Sequence, residues 1–159
     1  MKYLIGDIGN TSTKICILNH KFKIIKNFEF DTNKKIKNDF LKKILNRYKT
    51  KSLNTNILFS SVVPLAFKEM KKRFKNTKYK FYEVKNFDLK KIIKLNIKNT
   101  KQLGSDRIAN AISVQKFKNC LVVDFGTATT FDVIKNNIYE GGVIAPGVKL
   151  SITNLYNST

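Results

Sequence analysis

Apolar residues cluster in three short blocks at the start of the chain, 2–7, 13–19 and 22–30. The separators "GNTS" and "NHK" are turn-like and too short for a helical crossover, so the pattern predicts three strands joined as antiparallel hairpins. Ile36, Phe40, Leu41, Ile44, Leu45 and Tyr48 then recur at helical spacing. The β-branched run "TNILFSSV" predicts a strand, and Pro64 ends it and opens a helix, "PLAFKEMKKRF", where proline is tolerated in the first turn. "YKFYEV" reads as a further strand. "LKKIIKLNIKNTKQ" fits helix and strand equally. In "LGSDRIANAISVQKF", Ser105 can cap a helix with Ile108, Ala109, Ala111 and Ile112 on its inner face, placing Asp106 and Arg107 in the first turn. From Asn119 the pattern restarts, with "CLVVDF", "TTFDVI" and "IYEGGVIA" as strands and "PGVKLSITNLY" as the start of a helix.

The order β-β-β-α-β-α-β-α resembles the ribonuclease-H-like unit of the actin, Hsp70 and sugar-kinase superfamily. The expected fold is therefore α/β and actin-like, with one complete unit over 1–117 and the beginning of a second over 118–159. A second unit of three strands and a helix leaves an apolar sheet face uncovered. The two units open alike: "LIGDIGNTSTKICIL" and "LVVDFGTATTFDVI" both run strand, Asp, any residue, Gly, then small polar residues, matching Asp7 with Asp124 and Gly9 with Gly126. Such paired turns are expected to face one cleft.

Composition narrows the class. The chain has 159 residues, 42% of them hydrophobic and spread along its length. No apolar run approaches the roughly 18 residues of a membrane span, and the N-terminus enters a strand without the features of a leader, so a cytoplasmic location is expected. The net charge of +20 would suit a nucleic-acid binder, but only Arg47, Arg73 and Arg107 are arginine. The remaining cations are lysines scattered throughout, whereas groove readers favour the bidentate fork of arginine. A solvated lysine surface is the preferred reading, and neither nucleic acid nor membrane is an expected partner. Cys16 and Cys120 sit in separate apolar runs and read as buried free thiols, with a disulfide between them disfavoured. His20 is the single histidine, which leaves little support for histidine catalysis or a histidine-rich metal site.

An Asp-x-Gly hairpin suits nucleotide phosphate. Gly9 allows close approach and unusual dihedrals, the turn amides point at the anion, and Asn10, Thr11, Ser12 and Thr13 add donors. Asp7 is a candidate to hold hydrated Mg²⁺, which favours a carboxylate or two plus water and phosphate oxygens, and Lys14 is placed to neutralise phosphate. Alone, "DIGN" reads equally well as an ordinary turn. It is accompanied by Asp124, Gly126, Thr127 and Thr129 in the second turn, and by "GGVIAPG", whose Gly141, Gly142 and Gly147 surround Pro146 in an expected open strand-to-helix loop.

"DIGNTSTK", "LGSDRIANA", "DFGTATTFDVI" and "GGVIAPGVKLS", in this order, closely resemble type III pantothenate kinase over essentially the whole chain. The resemblance implies ATP-dependent phosphorylation of pantothenate, the first step toward coenzyme A, by a homodimer needing Mg²⁺ and a monovalent cation, K⁺ or NH₄⁺. It implies that Asp7, Ile8, Gly9, Asn10, Thr11, Ser12, Thr13, Lys14 and Thr127 contact ATP. Gly104, Ser105, Asp106 and Arg107 would hold pantothenate, with Asp106 as proton acceptor and Arg107 serving the substrate carboxylate or the developing charge. Asp124 resembles the monovalent-cation ligand. In a chain that uses lysine almost everywhere, Arg107 beside Asp106 points independently to a planar bidentate donor. The alternative for this pair is charge placement at a helix N-terminus.

Two departures from the family stand out. Ile97 and Thr100 occupy positions where the family usually shows Tyr and Pro, although Asn99 fits. Family members also continue past "PGVKLS" with the elements that complete the second unit and much of the dimer contact, so weak or absent activity is expected of this chain alone. A transcription accessory factor of the same fold and another small-molecule kinase of the superfamily are the alternatives. Retention of Asp7, Asp106 and Asp124 together argues against the regulator.

Overall fold

The computed structural model describes residues 1–32, 40–48 and 52–158. Contacts divide the chain into two compact units, Met1–Asn86 and Phe87–Thr159. This division follows compactness; the 117/118 boundary expected above concerns recurrence of the motif and lies inside the second compact unit.

The first unit holds a five-stranded sheet in the order β3-β2-β1-β4-β5, made of β1 (Tyr3–Ile8), β2 (Ser12–Leu18), β3 (Ile24–Asp31), β4 (Asn56–Ser61) and β5 (Lys80–Glu83). β1, β2 and β3 pair antiparallel, while β4 runs parallel to both β1 and β5. The two expected hairpins are therefore present. Alternation decides which face is inside: Leu4 and Ile8 of β1, Ile15 and Ile17 of β2, and Ile57 and Phe59 of β4 are at most 1% exposed. α1 (Phe40–Arg47) and α2 (Pro64–Arg73) add Leu41, Ile44, Leu45, Phe67 and Met70 to the same core. Ile36, expected on the inner face of the first helix, lies outside the described residues. Pro64 starts α2 as expected.

Phe59 explains a glycine that periodicity leaves unexplained. Its ring lies against Gly6 of the neighbouring strand, where any Cβ would collide with it, and it stacks on Phe81 at 5.9 Å. A side chain at position 6 would push a fully buried ring out of place.

In the second unit a four-stranded sheet runs β6-β9-β8-β7, comprising β6 (Lys94–Leu95), β7 (Cys120–Phe125), β8 (Ala128–Lys135) and β9 (Ile138–Pro146). β7, β8 and β9 are antiparallel neighbours, and β6 joins β9 in parallel. The segment that fitted helix and strand equally is mostly neither. It forms 3-10 turns at Leu89–Lys91 and Thr100–Gln102 around the two-residue β6. Asn99 caps the second turn by accepting from the Lys101 amide at 3.1 Å.

α3 (Ser105–Ser113) buries Ser105, Ile108 and Ala111, one stripe at i, i+3 and i+6; Ala109 and Ile112 are half-buried. The cap differs from expectation. Gly104 is the N-cap residue and makes no side-chain cap bond, whereas Ser105 lies inside the first turn and is fully buried. α4 (Val148–Ser158) follows β9 and buries none of its residues. Leu121, Val123, Phe125, Val133 and Val143 share one sheet face by alternation and are 38–70% exposed. The expected uncovered face is thus present in the second unit.

Both cysteines are free and half-buried, not fully buried as expected. Burial pushes the Cys16 thiol above its ordinary value, against a smaller opposing effect of Lys14. Among the described residues, no helix is long and apolar enough to cross a membrane.

Candidate active site

The first turn joins β1 to β2 through residues 9–12, since Ile8 pairs with Thr13. Its closure is a bond from the Gly9 amide to the Ser12 carbonyl at 2.9 Å. A Cβ on Gly9 would stand 3.0 Å from that carbonyl oxygen, so glycine serves close approach here. Gly9 does not occupy the left-handed region; Gly141 is the described glycine that does, at φ 105°. Asp7 is half-buried near the end of β1, in register with Lys14 on one side and Ser60 on the other. Asn10, Thr11 and Lys14 are exposed, while Ser12 is half-buried. Ile8 and Thr13 are buried, so they shape the turn from beneath.

Thr13 and Thr32 form the turn's foundation. The Thr32 hydroxyl donates to the Gly9 carbonyl at 2.7 Å. Its single proton is thereby used, so the 3.0 Å contact between the hydroxyls has Thr13 as donor. The Thr32 amide adds a bond to the Thr11 carbonyl at 3.0 Å. Thr32 lies 19 residues beyond Thr13 and belongs to no recognised motif.

The second turn repeats the first with one residue fewer. Phe125 pairs with Thr129 across residues 126–128, and the Gly126 amide reaches the Ala128 carbonyl at 3.0 Å. Asp124 and Thr127 are exposed. The Asp124 carboxylate accepts from the Asn110 side chain of α3 at 3.1 Å. Gly147 packs so closely on the carbonyls of Gly126 and Thr127 that a Cβ there would collide with both, and its amide bonds Thr127 at 3.2 Å. Of the three glycines expected in one open loop, only Gly147 lies in it. Gly141 and Gly142 belong to β9.

Asp106 and Arg107 occupy the first turn of α3 as expected. The Asp106 carboxylate is half-buried and accepts from the Arg107 amide at 2.8 Å. The Arg107 side chain crosses to β8, where its Nε donates to Asp132 Oδ1 at 2.7 Å and its Nη2 lies 2.7 Å from the same oxygen. Tyr139 donates its hydroxyl to that oxygen at 2.6 Å. Burial foremost, then this hydrogen bond and the nearby charge of Asp132, hold the Tyr139 phenol well above the ordinary range. Asp132 and Tyr139 escaped the sequence reading. The available signal was an acid at an inward position of an apolar strand.

Ile97 stands beside Gly141, 3.4 Å from where that residue's Cβ would be. Among the described residues, no group of three or more Asp, Glu, His or Cys could hold a metal. Mg²⁺ commonly relies on one or two carboxylates together with substrate phosphate and water. Asp7 near the end of β1 and Asp124 near the end of β7 each offer one carboxylate, compatible with ions that arrive with other ligands.

A mixed α/β chain with ribonuclease-H-like strand order and a repeated Asp-x-Gly turn has the actin-like ATPase and sugar-kinase fold. The sequence profile of type III pantothenate kinase matches residues 3–159. The chain is 53% identical over 154 residues to the type III pantothenate kinase of Pelagibacter ubique, covering 96% of this chain and 62% of that protein. It is 34% identical to that of Fervidobacterium nodosum, covering 98% of this chain and 63% of that one. The chain belongs to the type III pantothenate kinase family, and it spans under two thirds of the length of these relatives. A solved structure from Campylobacter jejuni, described as a Baf family transcriptional activator, aligns with a TM-score of 0.58 at 26% identity over 98% of this chain and 59% of its own. The ethanolamine utilization protein EutJ of Carboxydothermus hydrogenoformans shares the fold, with a TM-score of 0.59 at 9% identity over all of this chain and 58% of its own.

Proposed function

We propose that this chain carries the ATP and pantothenate sites of a type III pantothenate kinase, transferring the γ-phosphoryl group of ATP to the hydroxyl of pantothenate. The observation that carries the reading is Arg107, held by a buried carboxylate and adjacent to Asp106 at the start of α3, in a chain of this family. The oxygen of the pantothenate hydroxyl forms a bond to the γ-phosphorus as the bond to the leaving ADP oxygen breaks. Asp106 orients the hydroxyl and takes its proton late, which a loose transition state permits an ordinary carboxylate to do.

Arg107 binds the substrate carboxylate or the charge developing on the transferred group, and Gly104 and Ser105 shape the same pocket. Asp7, Gly9, Asn10, Thr11, Ser12, Lys14 and Thr127 receive ATP, over the buried Ile8 and Thr13. The exposure of Asn10, Thr11 and Lys14 on the first turn and the charge of Lys14 support this. Mg²⁺ beside Asp7 would neutralise phosphate charge, and K⁺ or NH₄⁺ would sit at Asp124. A homodimer in the cytoplasm completes the reading, with the recurrent units drawn at 1–117 and 118–159.

The uncovered face of the second sheet supports low activity for this chain by itself and recovery when the rest of the family's length is supplied. The test is MgATP-dependent phosphorylation of pantothenate with and without that added portion, beside an Asp106→Asn variant. Turnover only with another acceptor would favour a different small-molecule kinase.

A further inference from the structure

We propose that Asp132 and Tyr139 are positioning residues for Arg107, forming with Gly142 a buried cradle that fixes the guanidinium. Asp132 is fully buried and Tyr139 is 1% exposed. The Arg107 side chain is 12% exposed. One carboxylate oxygen, Asp132 Oδ1, receives the Nε proton at 2.7 Å, the Tyr139 hydroxyl at 2.6 Å and the charge of Nη2 at 2.7 Å. Three contacts converging on one oxygen define both the rotation of the carboxylate and the plane of the guanidinium.

Gly142 supplies the space. A Cβ there would lie 2.6 Å from Nη2 and collide with the Phe131 carbonyl oxygen. The glycine that sequence alone places in a loop therefore sits in a strand, where its missing side chain admits the arginine.

Nη2 of Arg107 faces Asp132 Oδ1 as an ion pair, and among the described residues the buried Oδ2 of Asp132 has no hydrogen-bond partner. With one edge of its guanidinium held by Asp132 and its side chain 12% exposed, Arg107 is prepared to present its remaining donors to an anionic oxygen. The class of ligand is a carboxylate or phosphoryl oxygen, matching the two roles open to Arg107. That last step rests on the proposed function; the cradle does not.

The experiment uses the 159-residue chain labelled with ¹⁵N. Its three arginines give at most three Nε–H cross-peaks, and Arg47 and Arg73 are exposed. One cross-peak, removed by Arg107→Lys, is expected to exchange with water at least tenfold more slowly than the others. Asp132→Asn should accelerate that exchange at least tenfold, and Tyr139→Phe about threefold. Unchanged exchange in both variants overturns the proposal, and if Asp132→Asn does not fold, unchanged exchange in Tyr139→Phe alone does so.

Pantothenate titration then separates positioning from a merely structural role. Asp132→Asn should weaken binding about tenfold, and the Arg107→Lys/Asp132→Asn double variant should bind no more weakly than Arg107→Lys alone, because Asp132 acts only through that guanidinium. Additive losses would overturn positioning. A wild-type chain that protects the Arg107 proton but ignores pantothenate refutes the substrate reading while upholding the cradle.

Discussion

Replacing Thr32 with valine keeps the shape of a side chain that is 3% exposed and removes its hydroxyl. Two bonds disappear, one to the Gly9 carbonyl at 2.7 Å and one from Thr13 at 3.0 Å. Thr13 is 1% exposed, so its hydroxyl loses its acceptor where water cannot replace it. Gly9 is half-buried and can recover part of its bonding from solvent. An unsatisfied buried donor costs about 1–3 kcal/mol and a partly rehydrated carbonyl less, so Thr32→Val should destabilise the chain by about 2–3 kcal/mol. Thr13→Val removes the donor but leaves the Thr32–Gly9 bond intact, and should cost only about 1 kcal/mol. The double variant replaces both partners by apolar isosteres and should be no less stable than Thr32→Val, a coupling that additive sites would not show. Urea unfolding followed by far-ultraviolet circular dichroism suits a chain without tryptophan. Additive losses, or a larger loss at Thr13 than at Thr32, would refute the assignment of donor and acceptor under the first turn.

Gly6→Ala should cost about 1–3 kcal/mol by forcing the Phe59 ring from its place, with a compensating Phe59→Leu change restoring part of it in the same unfolding assay. The Tyr139 phenol is raised above its ordinary value of 10.0, so the folded state holds its proton more tightly than the unfolded state does. Its contribution is fully present below about pH 10 and declines above it, by at most about 1.4 kcal/mol per pH unit. Comparing wild type with Tyr139→Phe isolates this slope from lysine titration common to both; equal slopes would contradict the burial argument. The uncovered face should bind a hydrophobic dye, and Phe125→Ser with Val143→Thr, at positions 70% and 64% exposed, should reduce the fluorescence severalfold while leaving circular dichroism unchanged.

Much of the fold was legible because apolar blocks and turn residues alternate cleanly. The β1–β2 and β7–β8 hairpins follow from runs that end at Gly9 and Gly126, and α2 follows from Pro64. The segment 89–102 was not legible, because isoleucine and lysine there satisfy both periods while Asn99 caps a 3-10 turn. Ser105 illustrates a limit of capping rules: a small hydroxyl residue at a helix start can be buried inside the first turn while a glycine occupies the cap.

Site chemistry was readable where residue type itself is informative. Arg107 stood out among lysines. Asp132 and Thr32 did not, since their meaning depends on Arg107 lying 25 residues from one and Gly9 lying 23 from the other. Gly142 was misread because a glycine in a strand and a glycine in a loop look alike until the arginine filling its space is seen.

The most direct measurement is phosphorylation of pantothenate in the presence of MgATP and K⁺, by this chain combined with the portion of the family's length it does not span. The account predicts turnover that falls at least about a hundredfold in Asp106→Asn, the scale expected of a lost general base. Turnover undiminished by that substitution, or a restored assembly that binds ATP and pantothenate without transferring phosphate, would contradict it.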